Sequence, residues 1–166
     1  MKRNAINYRG KLLTYDDWKG LKLQFDLHIS ALKNVDDMVK EVKNTLASFI
    51  EKEKFVVLLG GEHSISIGAF QAFAEKYNDL TILQLDAHAD MRQEYEGSKY
   101  NHACVMARAK ELCPVLQVGI RSLSIEEKCE IDPSRIFYAQ EIYMDRMWEN
   151  KAFQKLSDHV YITIDL

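Results

Sequence analysis

The sequence predicts a three-layer α/β protein in which a parallel sheet is flanked by helices. Three observations carry this reading. Strand-sized apolar runs alternate with stretches of helical pattern along the whole chain, the order that builds a parallel sheet with crossover helices. The runs "FVVLLGG", "LTILQL", "PVLQVGI" and "VYITIDL" are apolar nearly throughout, as strands covered on both faces must be. The 166 residues contain no internal repeat, low-complexity tract or linker, so residues 1–166 read as a single domain.

Each element can be justified in order. In residues 35–54, Val35, Met38, Val39, Val42, Leu46, Phe49 and Ile50 recur at spacings of three and four, and Asn34 is a natural N-cap. "KFVVLLGG" reads as a buried strand ending in a glycine turn, and "SISIGAFQAFAEKY" as a helix. "LTILQLDAHAD" reads as a second buried strand. A helix over "NHACVMARAKEL", a strand at "PVLQVGI", a short helix at "SIEEKCE" and a strand at "RIFYAQEI" follow. A helix at "MWENKAFQKL" and a strand at "HVYITIDL" complete the pattern. The sequence stops inside that last strand, leaving no loop at the end where open α/β sheets build their sites. The expectation is therefore a domain that is incomplete and part of something longer.

Composition excludes several classes. A net charge of −3 and the absence of a basic stripe argue against nucleic-acid or anionic-membrane partners. The apolar runs are far too short to span a bilayer. The start, "MKRNAINYRGKLL", is basic but lacks the apolar core of a secretory signal. Three cysteines, Cys104, Cys113 and Cys129, have no paired metal spacing and read as reduced thiols, which points to the cytoplasm.

The chemistry-bearing residues fall at the carboxyl ends of predicted strands, which all point one way in a parallel sheet. "GGEHS" delivers Glu62 and His63, "DAHAD" delivers Asp86, His88 and Asp90, and "TIDL" delivers Asp165. In an extended segment, positions i, i+2 and i+4 share one face, so "DAHAD" can present all three groups together. Carboxylates with a minority of imidazoles suit Mn²⁺, Fe²⁺ or Zn²⁺. Bridging carboxylates can hold two such ions about 3.5–4 Å apart and make a bound water acidic enough to attack a poor electrophile. Each motif alone has a bland explanation, because Asp favours turns and helix starts and a lone histidine after a strand is commonly a surface residue. Three motifs at three strand ends are harder to explain that way. No G-x-G-x-x-G or Walker lysine is present, which removes the nucleotide-binding reading.

Taken in order, "GGEHSIS", "DAHADMR", the "NHA" around His102 and "ITIDL" resemble the arginase/agmatinase (ureohydrolase) family over residues 8–166. "DAHADMR" and "NHACVM" resemble its agmatinase branch. The resemblance implies an arginase/deacetylase-like parallel α/β fold, a cofactor of two Mn²⁺ per complete site, and hydrolysis of a small guanidino substrate such as agmatine to urea and an amine. It implies metal-ligand roles for His63, Asp86, His88, Asp90 and Asp165, with Asp86 and Asp165 bridging. Asp90 would also hydrogen-bond the attacking oxygen. His102 would act as a catalytic proton shuttle or substrate contact. Arg92 stands where arginases place an Asn that contacts the substrate's carboxylate, a group agmatine lacks; a surface ion pair is the alternative for Arg92.

Departures from the family temper these expectations. Its second Asp of the last motif and its later guanidinium-gripping glutamate have no counterpart here, and Leu27 and His28 follow Asp26 where a glycine and an aspartate are expected. A sheet left incomplete would expose apolar faces, so a homo-oligomer or completion by a partner is expected. Two readings stand at this point: a manganese-dependent agmatinase-like hydrolase, or a catalytically inactive truncated ureohydrolase acting as a folding or interaction module.

Overall fold

The computed structural model describes residues 34–165 and, before them, strands β1 (Ala5–Ile6) and β2 (Leu12–Leu13). The chain forms two compact units, Met1–Ala31 and Leu32–Leu166. In the first, β1 and β2 pair antiparallel. Asp26, Leu27 and His28 lie outside the described residues.

The second unit is built on four parallel strands: β3 (Leu80–Leu85), β4 (Val115–Ile120), β5 (Ile136–Tyr138) and β6 (His159–Ile164). Their spatial order is β5-β4-β3-β6. The helices are α1 (Val35–Ile50), α2 (Ile65–Lys76), α3 (Val105–Lys110), α4 (Ile125–Lys128), α5 (Ala139–Met144) and α6 (Trp148–Phe153). The expected parallel sheet flanked by helices is present.

Sheet register sorts the side chains into two faces. Leu83 stands opposite Leu116 and Leu85 opposite Val118; this face packs with Phe137 against Ile142, Trp148 and Ala152 of α5 and α6. The opposite face carries Ile82, Gln84 and Tyr161, and Tyr161 meets Phe70 and Phe73 of α2 edge-on. Behind α2 lies α1, whose apolar stripe Met38, Val39, Val42, Leu46 and Ile50 is buried as the spacing predicts. Asn34 caps α1, its side chain accepting from the Asp37 N–H at 2.9 Å. Gly68 allows α1 and α2 to approach closely: a Cβ there would meet the Val39 carbonyl and stand 2.8 Å from Val42 Cβ.

Several expected elements differ. The helix predicted over residues 35–54 ends at Ile50, where the apolar repeat runs out and Glu53 turns the chain with a φ of 55°. The run "KFVVLLGG" is not a buried strand: it pairs with no strand among the described residues, and Phe55, Val57 and Leu59 are 84%, 64% and 78% exposed. Its apolar composition is a demand for a neighbour, and within it only Val56 and Leu58 are even partly covered among the described residues. "RIFYAQEI" is strand only to Tyr138 and then becomes α5, whose start is tied by the Glu141 carboxylate accepting the Tyr138 N–H. The strand predicted through "DAHAD" stops at Leu85. At the other side of the sheet, the outer edge of β6 has no partner among the described residues, and Ile162 and Ile164 are exposed.

Candidate metal centre

The carboxyl ends of β3 and β6 and the loop entering α2 converge on one point. His63 precedes the N-terminus of α2, Asp86 follows β3, and Asp165 follows β6, with its N–H bonded to the Leu85 carbonyl at 3.1 Å. Asp90 is carried there by a turn. Its φ of 52° is left-handed, a conformation that Asp and Asn tolerate better than most side chains. Its carbonyl accepts the N–H groups of Met106 and Ala107 at the start of α3, which holds the turn in place. Gly119 in β4 is also left-handed, at 92°, and a Cβ there would press on the Asp86 carbonyl at 3.1 Å.

One ligand atom each from His63, Asp86, Asp90 and Asp165 lies within 4.8 Å of the others. His63 Nδ1–H donates to Asp90 Oδ2 at 2.7 Å and stands 3.8 Å from both Asp86 Oδ2 and Asp165 Oδ2. Its Nε2 shares a hydrogen bond with the Thr163 hydroxyl at 3.0 Å. His63, Asp86 and Asp90 are buried, whereas Asp165 opens to solvent. Burial would lower the His63 pKa, but the hydrogen bond to Asp90 and the charges of Asp90, Asp86 and Asp165 outweigh it and hold the imidazole above its ordinary value. Burial also raises the Asp90 carboxyl, against the opposing pull of His63.

Three carboxylates and one imidazole within this radius are a donor set for a hard or borderline divalent cation. The three carboxylates favour the protonated form of His63, and a cation in their midst would replace that proton as the opposing charge.

The other candidates lie around this cluster. The His88 side chain is 64% exposed and sits 3.4 Å from Asp86 Oδ1, the oxygen turned away from His63. It therefore stands outside the four-atom group. "DAHAD" is not a continuous strand, since β3 ends at Leu85 and Asp90 is left-handed, yet Asp86 and Asp90 share the cluster and His88 adjoins Asp86. His102 opens a 3₁₀ turn, pairs with Glu62 Oε1 at 3.4 Å and meets the Tyr95 ring edge-on at 6.0 Å. Arg92 stacks over Tyr95 at 4.9 Å and reaches Glu126 at 3.5 Å, so its charge is engaged by neighbours on the surface.

Sequence reasoning passed over Gln84, Gln117 and Thr163, which contact the cluster residues or one another. The available signal was a polar residue set among apolar ones in each of the runs "LTILQL", "VLQVGI" and "YITI".

A parallel sheet that brings three carboxylates and an imidazole together at the carboxyl ends of its strands belongs to the class of α/β folds with a candidate divalent-cation site. Residues 2–166 match the Arginase family, and the chain belongs to that family. It is 42% identical over 136 residues to the N(1)-aminopropylagmatine ureohydrolase of Synechocystis sp., covering 79% of this chain and 44% of that protein. It is 33% identical to the agmatinase of Bacillus cereus, covering 78% of this chain and 44% of that protein. Among solved structures, the agmatine ureohydrolase of Thermoplasma volcanium superposes with a TM-score of 0.71 at 32% identity, over 80% of this chain and 46% of the other. The arginase of Bacillus subtilis superposes with a TM-score of 0.70 at 26% identity, over 81% and 56%. The chain thus spans about half the length of the relatives it matches.

Proposed function

We propose that the chain carries the metal-binding half of an agmatinase-type ureohydrolase, which hydrolyses agmatine to putrescine and urea with Mn²⁺ and serves polyamine synthesis in the cytoplasm. The observation that carries this is the convergence of His63, Asp86, Asp90 and Asp165 within 4.8 Å. These four residues hold one cation. His88, its ring exposed beside Asp86, offers its imidazole to a second. A bound divalent cation supplies Lewis acidity and a water of lowered pKa.

The chain's own residues do the rest. Asp90, buried beside His63, would accept a hydrogen bond from the attacking water. His102, half-exposed and paired with Glu62, moves protons between the site and solvent. Arg92 is assigned a substrate contact, although Tyr95 and Glu126 engage it here. A net charge of −3 suits a cationic guanidino substrate and gives no support to a nucleic-acid partner. Among the described residues no helix is long and apolar enough to cross a membrane.

A second reading has its own support. The apolar residues 55–59 and the outer edge of β6, neither paired to a strand among the described residues, favour a ureohydrolase-like domain that is inactive alone and acts as a folding or interaction module, completed by a further copy in a homo-oligomer or by another chain.

Elemental analysis after manganese loading and desalting, with a urea-release assay on agmatine, separates the two. About two Mn²⁺ per chain with urea formed supports the enzyme. One or none without urea supports the module. In His63→Ala and Asp86→Ala variants metal retention should be lost, and unchanged metal content would overturn the ligand assignment.

A further inference from the structure

Apolar strands seldom bury an amide side chain without using it, because a primary amide has two donors and an acceptor to satisfy. Strands β3 and β4 each bury one, Gln84 and Gln117, and the parallel register sets them directly opposite each other. Their hydrogen bonds form one continuous chain. Gln117 Nε2 donates to Gln84 Oε1 at 2.6 Å and to the Ala89 carbonyl at 2.8 Å. Gln84 Nε2 donates to Asp86 Oδ2 at 2.8 Å and to the His88 carbonyl at 3.1 Å.

The direction of this chain is forced. Each Nε2 faces two oxygens, so turning either amide over would set oxygen against oxygen. The end of the chain is the cluster itself, since Asp86 Oδ2 is the oxygen that faces His63. The other oxygen, Asp86 Oδ1, accepts the His88 N–H at 2.8 Å. With both oxygens held, the carboxylate has one orientation, and the carbonyls of His88 and Ala89 are held by the same two amides.

We infer that the Gln84–Gln117 pair are positioning residues for the metal centre: they fix the Asp86 carboxylate and the turn that follows it, so that Asp86 Oδ2 stays within the ligand group before any cation arrives. The inference rests on the metal reading above. It goes beyond it in assigning ligand geometry to two buried amides rather than to the ligands alone. Outer partners of this kind commonly govern affinity as strongly as a ligand's own identity.

The test uses Mn²⁺ alone as the probe, with affinity read by competition against a chelator and stability by thermal unfolding of the metal-free chain. The variants are Gln84→Met, Gln117→Met and the double variant, which keep side-chain length while removing the amides. Gln84→Met should weaken Mn²⁺ binding by about 10–100-fold, and Gln117→Met by a smaller factor of at least about threefold. Both single variants leave a buried amide without its partner and should unfold at lower temperature. The double variant no longer strands one amide beside the other and should regain part of that stability, yet its Mn²⁺ affinity should stay low. Recovery of affinity together with stability would show a merely structural pair and overturn the inference. So would affinity within about twofold of the parent in Gln84→Met. If Gln84→Met does not fold, Gln117→Met, which touches no ligand, carries the same comparison, and parent-like affinity there overturns it equally. A parent chain that binds no Mn²⁺, or a His63→Ala chain that binds it normally, would instead sink the metal reading and the inference with it.

Discussion

Moving the metal-free protein from about pH 8 to about pH 6 perturbs the centre through the proton balance of the His63 imidazole. Asp90, Asp86 and Asp165 hold His63 above its ordinary value of 6.5 in spite of burial. A folded value raised above the unfolded one means that the histidine's contribution to stability is complete below about 6.5 and is lost as pH rises through the folded value. Manganese requires the same nitrogen without its proton. Below the folded value, each pH unit should therefore cost about tenfold in Mn²⁺ affinity, or ~1.4 kcal/mol. The two slopes have opposite signs: as pH rises from about 6.5 through the folded value, His63 contributes less to the stability of the metal-free chain, while the stabilisation added by Mn²⁺ grows. Asp90, raised by burial, changes metal-free stability in the same sense at lower pH, but Asp132 and Asp145 are lowered by hydrogen bonds from Ser134 and Lys151 and act oppositely there. The assay is therefore kept near neutrality. Calorimetric titration with Mn²⁺ in two buffers of different ionisation heat should reveal proton release at the lower pH. Equal affinity at the two pH values with no proton released would refute the coupling of His63 to the carboxylates.

Other outcomes can be stated together. His102→Ala should keep its Mn²⁺ while lowering urea release by about 10²-fold or more, as loss of a positioned proton carrier does; an unchanged rate in an active protein would remove its role. Gly68→Ala gains about 1 kcal/mol of helix propensity but drives a methyl into the α1 backbone. Overpacking of about 1–3 kcal/mol should win, leaving a net loss of about 1 kcal/mol in chemical denaturation, and a stabilised variant would contradict the close approach of α1 and α2. Cys129 is exposed, whereas Cys104 is buried and burial pushes the Cys113 thiol up to about 11. A maleimide at neutral pH should label Cys129 first and the other two only after denaturation, read by mass spectrometry.

Much of the fold was legible because its signals are local. The three- and four-residue spacing in α1, the Asn34 cap and the dense apolar runs of β3 and β4 each act over a few residues. What failed depends on partners distant in sequence. Residues 55–59 carry the composition of a buried strand, but composition registers a preference for burial and does not supply the neighbouring strand. In the site, "DAHAD" and "TIDL" follow β3 and β6 as expected, whereas "GGEHS" follows residues that form no strand here and reaches the site on the loop entering α2; the i, i+2, i+4 argument assumed an extended backbone that the left-handed Asp90 breaks. Gln84 and Gln117 were hidden for a related reason, since only the sheet register shows that two lone glutamines stand side by side.

The left-handed backbone at Asp90 narrows what evolution can do at that position. The conformation costs most side chains on the order of 1 kcal/mol, and glycine would relieve it while deleting the carboxylate. Asparagine would fit the backbone but surrender the charge, and glutamate would keep the charge while resisting the turn. Aspartate alone satisfies both demands, so the substitution most favourable to the bare fold is one that empties the site. A survey of stabilised variants of this chain would therefore drift away from metal binding at Asp90 unless metal were present during selection.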